Sequence, residues 1–203
     1  TKQSQLENLK TFEHILFANL AEFLTSQNLE HDAMLAYQTY LDYAPNTIWA
    51  SRFTLELIDL HRKKNNFPKI KDLKVNYVNN FGLSSVFWSH GDKAHRAEIM
   101  PQLLLFSLAH ARRLYANAQE IDDDLLRALA FEQSALWLNT FLVNSSYANQ
   151  EFASNILTVQ EQFLFADASF EARKYEQALN VYDFLAYKLS FDSLSEHRPL
   201  ITR

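Results

Sequence analysis

The chain has 203 residues, 48% of them hydrophobic and 14% aromatic, with a formal net charge of −5 and no cysteine. That length holds one ordinary domain with a packed interior. The charge disfavours a nucleic-acid binder, which needs a basic face, and the missing cysteine excludes disulfides and thiolate metal sites. Only 2 Gly and 4 Pro occur. Sheet proteins of this size use such residues in their many turns, so the composition points to an all-α fold with few connections.

Ser4 and Glu7 have capping-box spacing, in which each side chain bonds the other's free backbone N–H. The helix they start carries Leu6, Leu9, Phe12, Leu16, Leu20 and Phe23 as one apolar stripe and should end near Gln27. Asn28 is placed to cap a second helix running to about Tyr43, which Pro45 stops. Thr47 can cap a third helix, and Pro68 begins a fourth that Gly82 ends. The stretch LSSVFWSHG reads as a loop. Asp92 to about Ala118 is helical, with Pro101 either kinking it or marking its true start. Asp122 to Asp124 open the next helix, which is expected to reach Phe141, with VNSSYAN as its exit. Two short helices close the chain within Phe163–Tyr187, with Ala166 and Ala178 at their crossing and Tyr175 and Tyr182 between them. The count is about eight helices in four hairpins.

Ala166 and Ala178 are twelve residues apart, as are Ala21 and Ala33, and an aromatic follows each second alanine by four, Tyr182 and Tyr37. Pro45 lies twelve beyond Ala33. This pattern resembles the tetratricopeptide repeat (TPR), whose period is roughly 34 residues. The best copies cover about 14–47 and 159–192, with Ser190 in place of the closing Pro. Ile58 and Ile70 keep the spacing with larger side chains. The resemblance implies one TPR-like domain over 1–203, with antiparallel hairpins stacked as a short right-handed α-solenoid. Residues 65–88, NNFPKIKDLKVNYVNNFGLSSVFW, also resemble a segment of large TPR proteins of the bacterial cell envelope. A periplasmic or outer-membrane-associated setting is the expectation from that likeness.

A TPR groove exposes set positions of each first helix. They fall on Ile15, Ala18, Glu22, Thr25 and Ser26, then on Arg52, Leu55, Asp59, Arg62 and Lys63, and finally on Gln160, Phe163, Asp167, Phe170 and Glu171. The polar members expected to meet a partner are Arg52, Asp59, Arg62, Lys63, Gln160, Asp167 and Glu171. The Lys and Asn clamp by which some TPR proteins hold a peptide's carboxylate does not recur here. The basic run from His61 to Lys74 is either a solvated helix end or a surface for an anionic partner. Trp49, Trp88 and Trp137 read as packing residues.

Enzyme signatures are missing. Two glycines cannot form a phosphate-cradling loop, and no G-x-S-x-G occurs. His90, Asp92 and His95 resemble metal ligands only loosely, since two His five apart do not share a helix face. Glu120 and Asp122–Asp124 lack the alternation and the Gly of a calcium loop. No catalytic residue, metal or cofactor is expected. No apolar run approaches the ~20 residues of a membrane span. The ends, TKQSQLENLK and SEHRPLITR, suggest a piece of a longer protein. The reading is a non-enzymatic scaffold that binds a protein or peptide. The alternatives are a regulatory or structural domain of an enzyme whose catalytic part lies elsewhere, and a small metal-dependent or hydrolytic helical enzyme.

Overall fold

A computed structural model describes residues 2–187, with side chains from residue 12 onward. The side chains of the Ser4–Glu7 capping box, Leu6 and Leu9 are not described, and Ser190 lies outside the described residues. What is described is all helix, without a strand: α1 (Lys2–Ser26), α2 (Glu30–Tyr43), α3 (Ile48–Lys63), α4 (Phe67–Phe81), α5 (Val86–His90), α6 (Lys93–Gln119), α7 (Asp124–Phe152), α8 (Val159–Glu171) and α9 (Tyr175–Tyr187). The expected eight helices are present, and α5 is added where LSSVFWSHG reads as a loop. Ser85 caps it by accepting from the Trp88 N–H, and Phe87 and Trp88 are buried. The chain divides into two compact units, Thr1–Ile99 and Met100–Arg203, with the boundary inside α6.

Helix starts follow local chemistry in most places. Thr47 Oγ1 accepts from the Ala50 N–H at 3.1 Å, and Asn66 holds the start of α4 with Pro68 in its first turn. Asp92 accepts from the His95 N–H. Asp123 accepts from both Leu125 and Leu126. Each removes an orphan donor from a helix start.

Asn28 behaves differently from its expected role. It takes φ 60° and ends α1 rather than capping α2, whose N-cap is Leu29 without a side-chain bond. The Leu29 N–H reaches Leu24 O at 2.9 Å and the Asn28 N–H reaches Thr25 O at 3.0 Å, the paired bonds of a Schellman turn. The same pair recurs at Asn65, from Asn66 to His61 and from Asn65 to Arg62, and at Arg173, from Lys174 to Ser169 and from Arg173 to Phe170. Asn65 and Arg173 also have positive φ. All three left-handed residues lie seven positions beyond Ala21, Ile58 and Ala166. Three turns therefore share one backbone geometry at one register.

In the first unit α1 packs on α2, α2 on α3, α3 on α4 and α4 on α5. Ala21, Ala33, Ile58 and Ile70 are all buried, and Tyr37, Phe53 and Tyr40 form an aromatic chain between α2 and α3. The α1 stripe is not the core face: Phe12, Leu16, Leu20 and Phe23 are exposed. Among the described residues only its opposite side, marked by Ala21, has helices to pack on.

In the second unit α7 packs on α8 and α8 on α9. Its core joins Ala111, Phe131, Leu138, Phe165, Ala168 and their neighbours. Small polar residues lie within these contacts because their hydroxyls are satisfied at once. Ser107, Ser145 and Ser169 bond carbonyls of their own helices, and Ser134 donates across to Ala111 O at 3.0 Å. Ala166 and Ala178 are buried, whereas Tyr175 is 57% exposed and does not fill the space between α8 and α9.

Two boundaries move. Pro101 sits inside a continuous α6 and does not start it. The helix expected to stop at Phe141 runs on to Phe152, because Asn144, Ser145 and Ala148 are buried on its packed side. Burial there overrides the turn preference of VNSSYAN. The break comes at Ala153, φ 51°, where the Asn149 side chain bonds both the N–H and the carbonyl of Ile156.

Two substitutions test this packing by equilibrium unfolding in urea. Leu138→Ala, at a fully buried position, is expected to cost about 2–5 kcal/mol. Gly82→Ala is expected to cost about 1–3 kcal/mol, since its Cβ would meet the Val78 carbonyl oxygen at 2.6 Å.

Candidate functional site

The first unit contains a groove of about 630 Å³ across α1, α2 and α3. Helix α1 lines it with Ala18, Glu22, Thr25 and Ser26, and α2 contributes Tyr37. From α3 come Trp49, Arg52, Phe53 and Glu56, then Asp59, Leu60 and Lys63. The repeat register thus brings together Ala18, Glu22, Thr25, Ser26, Arg52, Asp59 and Lys63. It leaves Ile15, Leu55 and Arg62 off the lining.

Two lining residues, Trp49 and Arg52, belong to a ladder of flat groups that continues beyond the lining. The His14 ring stacks on Trp49 with centroids 3.9 Å apart and planes 13° from parallel. The Arg52 guanidinium lies 4.4 Å from the Trp49 ring centre. Glu98 then grips Arg52 with two bonds, 2.7 Å to Nε and 2.8 Å to Nη2. That hydrogen bonding raises the Arg52 pKa and lowers that of Glu98. Burial, and then the Arg52 charge, lower the pKa of His14. Arg52 is therefore already paired within the protein. Asp59 is paired with Arg62 one helical turn on.

Tyr37, Trp49, Phe53, Glu56 and Leu60 were not among the expected groove positions. Tyr37 and Trp49 carry packing signals in the sequence, and both do pack. A side chain can fill a helix interface and still present one edge to a groove, which spacing alone does not reveal. Glu56 had a usable signal: it lies one turn from Arg52 and one from Asp59, on the same face of α3.

In the second unit Gln160 and Glu171 are exposed on α8, and Asp167 accepts a hydrogen bond from the Tyr182 hydroxyl. Burial, then Asp167, pushes the Tyr182 pKa up. Tyr115 on α6 is raised by burial and then by the charges of Asp167 and Glu171. Glu161, beside Gln160, is 8% exposed and held by Arg112 at 2.6 Å. A separate cavity of about 210 Å³ contains none of the expected positions, and its Lys174 and Glu132 pair at 3.0 Å.

His90 and His95 are occupied locally. His90 Nδ1 lies 3.1 Å from Ser89 Oγ and 3.0 Å from Val86 O, and His95 pairs with Asp92 at 3.3 Å. Among the described residues no group of three or more His, Asp or Glu is arranged to hold a metal ion. No described helix is long and apolar enough to cross a membrane. Comparison with models of protein families, with curated proteins and with solved structures gave no match to this chain.

The Arg52–Glu98 pair gives a pH-dependent prediction. Because the Glu98 pKa is lowered on folding, its contribution is present above the ordinary carboxylate pKa and disappears as pH falls through the lowered value. Both side chains are about two-fifths exposed, so the contribution is at most about 1 kcal/mol. Glu98→Gln should melt slightly below the parent at pH 7, and the two melting curves should converge on acidification.

Proposed function

We propose that the chain is a non-enzymatic interaction module whose hairpins stack as a short right-handed TPR-like solenoid, and that it binds an extended peptide segment of a protein partner in the α1–α3 groove. The observation that carries this reading is the lining of that groove. Seven positions chosen by the repeat register, on two helices separated in sequence, border one concavity. The three Schellman turns at equivalent register support the repeat, because equal backbone geometry at equal spacing is what repetition of one hairpin unit requires.

The groove suits a peptide more than a compact metabolite. It is open, and charged residues border an aromatic floor. The polar groups are spread over several turns of α1 and α3 instead of converging on one point, as they do in small-molecule sites. Peptide grooves use such a distribution, with one pocket per side chain. The setting we propose, an assembly of the bacterial envelope, rests on the likeness of residues 65–88 to segments of large TPR proteins. In the second unit, Gln160, Asp167 and Glu171 form an acidic and polar face on α8.

The test is selection of a random linear dodecapeptide library on the folded protein, followed by anisotropy titration of the selected peptides. Ala18→Trp puts a bulky ring into the groove from a half-buried position on α1. Selected peptides should lose at least about tenfold in affinity for this variant, about 1.4 kcal/mol, while its circular dichroism stays that of the parent. Peptides that bind the folded variant as tightly as the parent would remove the groove from consideration.

A further inference from the structure

The groove's charges are not equally available to a ligand. Arg52 is held by Glu98, and Asp59 is held by Arg62. Glu22 on α1 and Glu56 on α3 are both exposed and have no ion pair or hydrogen bond among the described residues. Between them on α2 stands Tyr37, which is 9% exposed and lines the groove. Its hydroxyl makes no hydrogen bond among the described residues and keeps contact with solvent on the groove side. All three line the groove, from α1, α2 and α3, and at this corner both carboxylates act on the phenol electrostatically. Two unpaired carboxylates and a phenol hydroxyl bonded to no protein group are acceptors without a protein donor.

We infer that this corner receives the cationic head of a Lys or Arg side chain from a basic peptide segment, with its ammonium or guanidinium set between Glu22 and Glu56 over the Tyr37 hydroxyl. The rest of the groove fits such an occupant. Phe53 and Leu60 offer apolar surface for the aliphatic stem, as long cationic side chains require. A bare metal ion suits it poorly, since the groove is far larger than an ion and the carboxylates stand on separate helices. An acidic peptide would meet Glu22 and Glu56 with only Lys63 uncommitted to oppose them. The inference rests on the groove reading above and adds the charge of the partner.

The experiment uses three fluorescein-labelled dodecapeptides of repeated Ser-Leu-Lys, Ser-Leu-Gln and Ser-Leu-Glu, titrated by anisotropy at near-physiological salt. The Lys peptide is expected to bind at least about tenfold more tightly than the Gln peptide, the scale of one charge-assisted hydrogen bond, and the Glu peptide least. Glu22→Gln with Glu56→Gln should abolish this preference, and Tyr37→Phe should reduce it. Glu120→Gln with Glu176→Gln removes the same charge from exposed positions of the second unit and should leave the preference intact. An equal loss in both double variants would mean general electrostatic attraction and would overturn the inference. So would a preference that survives Glu22→Gln with Glu56→Gln. If library-selected peptides are sensitive to Ala18→Trp while the Lys and Gln peptides bind alike, the cation site falls and the groove stands. If the selected peptides ignore Ala18→Trp, the groove falls as well.

Discussion

Two helices approach closely only where the side chains at their contact are small, and this chain is assembled around such places. Ala21, Ala33, Ala166 and Ala178 are buried to within 1%, and Ala111, Ala118, Ala148 and Ala168 have no exposed surface. Serines serve the same purpose, because a hydroxyl bonded to a carbonyl of its own helix removes its polar cost. Ser107, Ser145 and Ser169 all do this. Close approach puts large aromatics to the sides of the contacts, where Tyr37, Tyr40, Phe53, Tyr115 and Phe131 meet edge-on or tilted. Larger residues at the alanine positions would separate the helices and leave those rings without partners.

The turns between packed helices share one short reversal, the Schellman turn, which places a residue in the left-handed region and forms beside Ile58 and Ile70 as well as beside the alanine pairs. Two of the three such residues are Asn, which tolerates that conformation, and the third is Arg173. The groove is a result of this geometry. With α1 and α3 both laid on α2 or against its aromatic chain, their neighbouring faces leave a hollow whose floor is Tyr37. Its walls carry whatever charge lies at the outward positions of the two helices. Arg52 shows how tertiary structure then edits that charge: Glu98, 46 residues away, occupies the guanidinium.

Much of this architecture was legible in the residues. The scarcity of Gly and Pro implied helices, Thr47 was legible as a cap, Asp92 and Asp122–Asp124 stood where two other helices begin, and the alanine spacing fell on two pairs of packed helices. Seven of the ten positions that the TPR resemblance selects on α1 and α3 line the groove, while Tyr37, Trp49, Phe53, Glu56 and Leu60 were not selected. The extent of α7 was not legible, because Asn144, Ser145 and Asn149 look like a turn, and only the fold shows Ala148 buried and the Ser145 hydroxyl satisfied by Phe141 O within the helix. Asn28 was misread because Asn serves both at helix starts and in left-handed turns, and only the paired bonds to Leu24 and Thr25 tell the two apart. The exposure of Phe12, Leu16, Leu20 and Phe23 was equally hidden. Periodicity reports that a face is apolar but not whether another helix lies on it.

The sequence by itself determined the all-helical class and the places of most helix starts, because helix propensity and capping act over a few turns of chain. Tertiary structure decided which charges remain free. Arg52, the first cation that the TPR resemblance selects for a partner, is paired with a distant Glu98, while Glu22, Glu56 and Tyr37, drawn from three helices, line one groove with no protein partner of their own. Pairing of charges depends on distances across the fold, and no pattern along the chain encodes those distances.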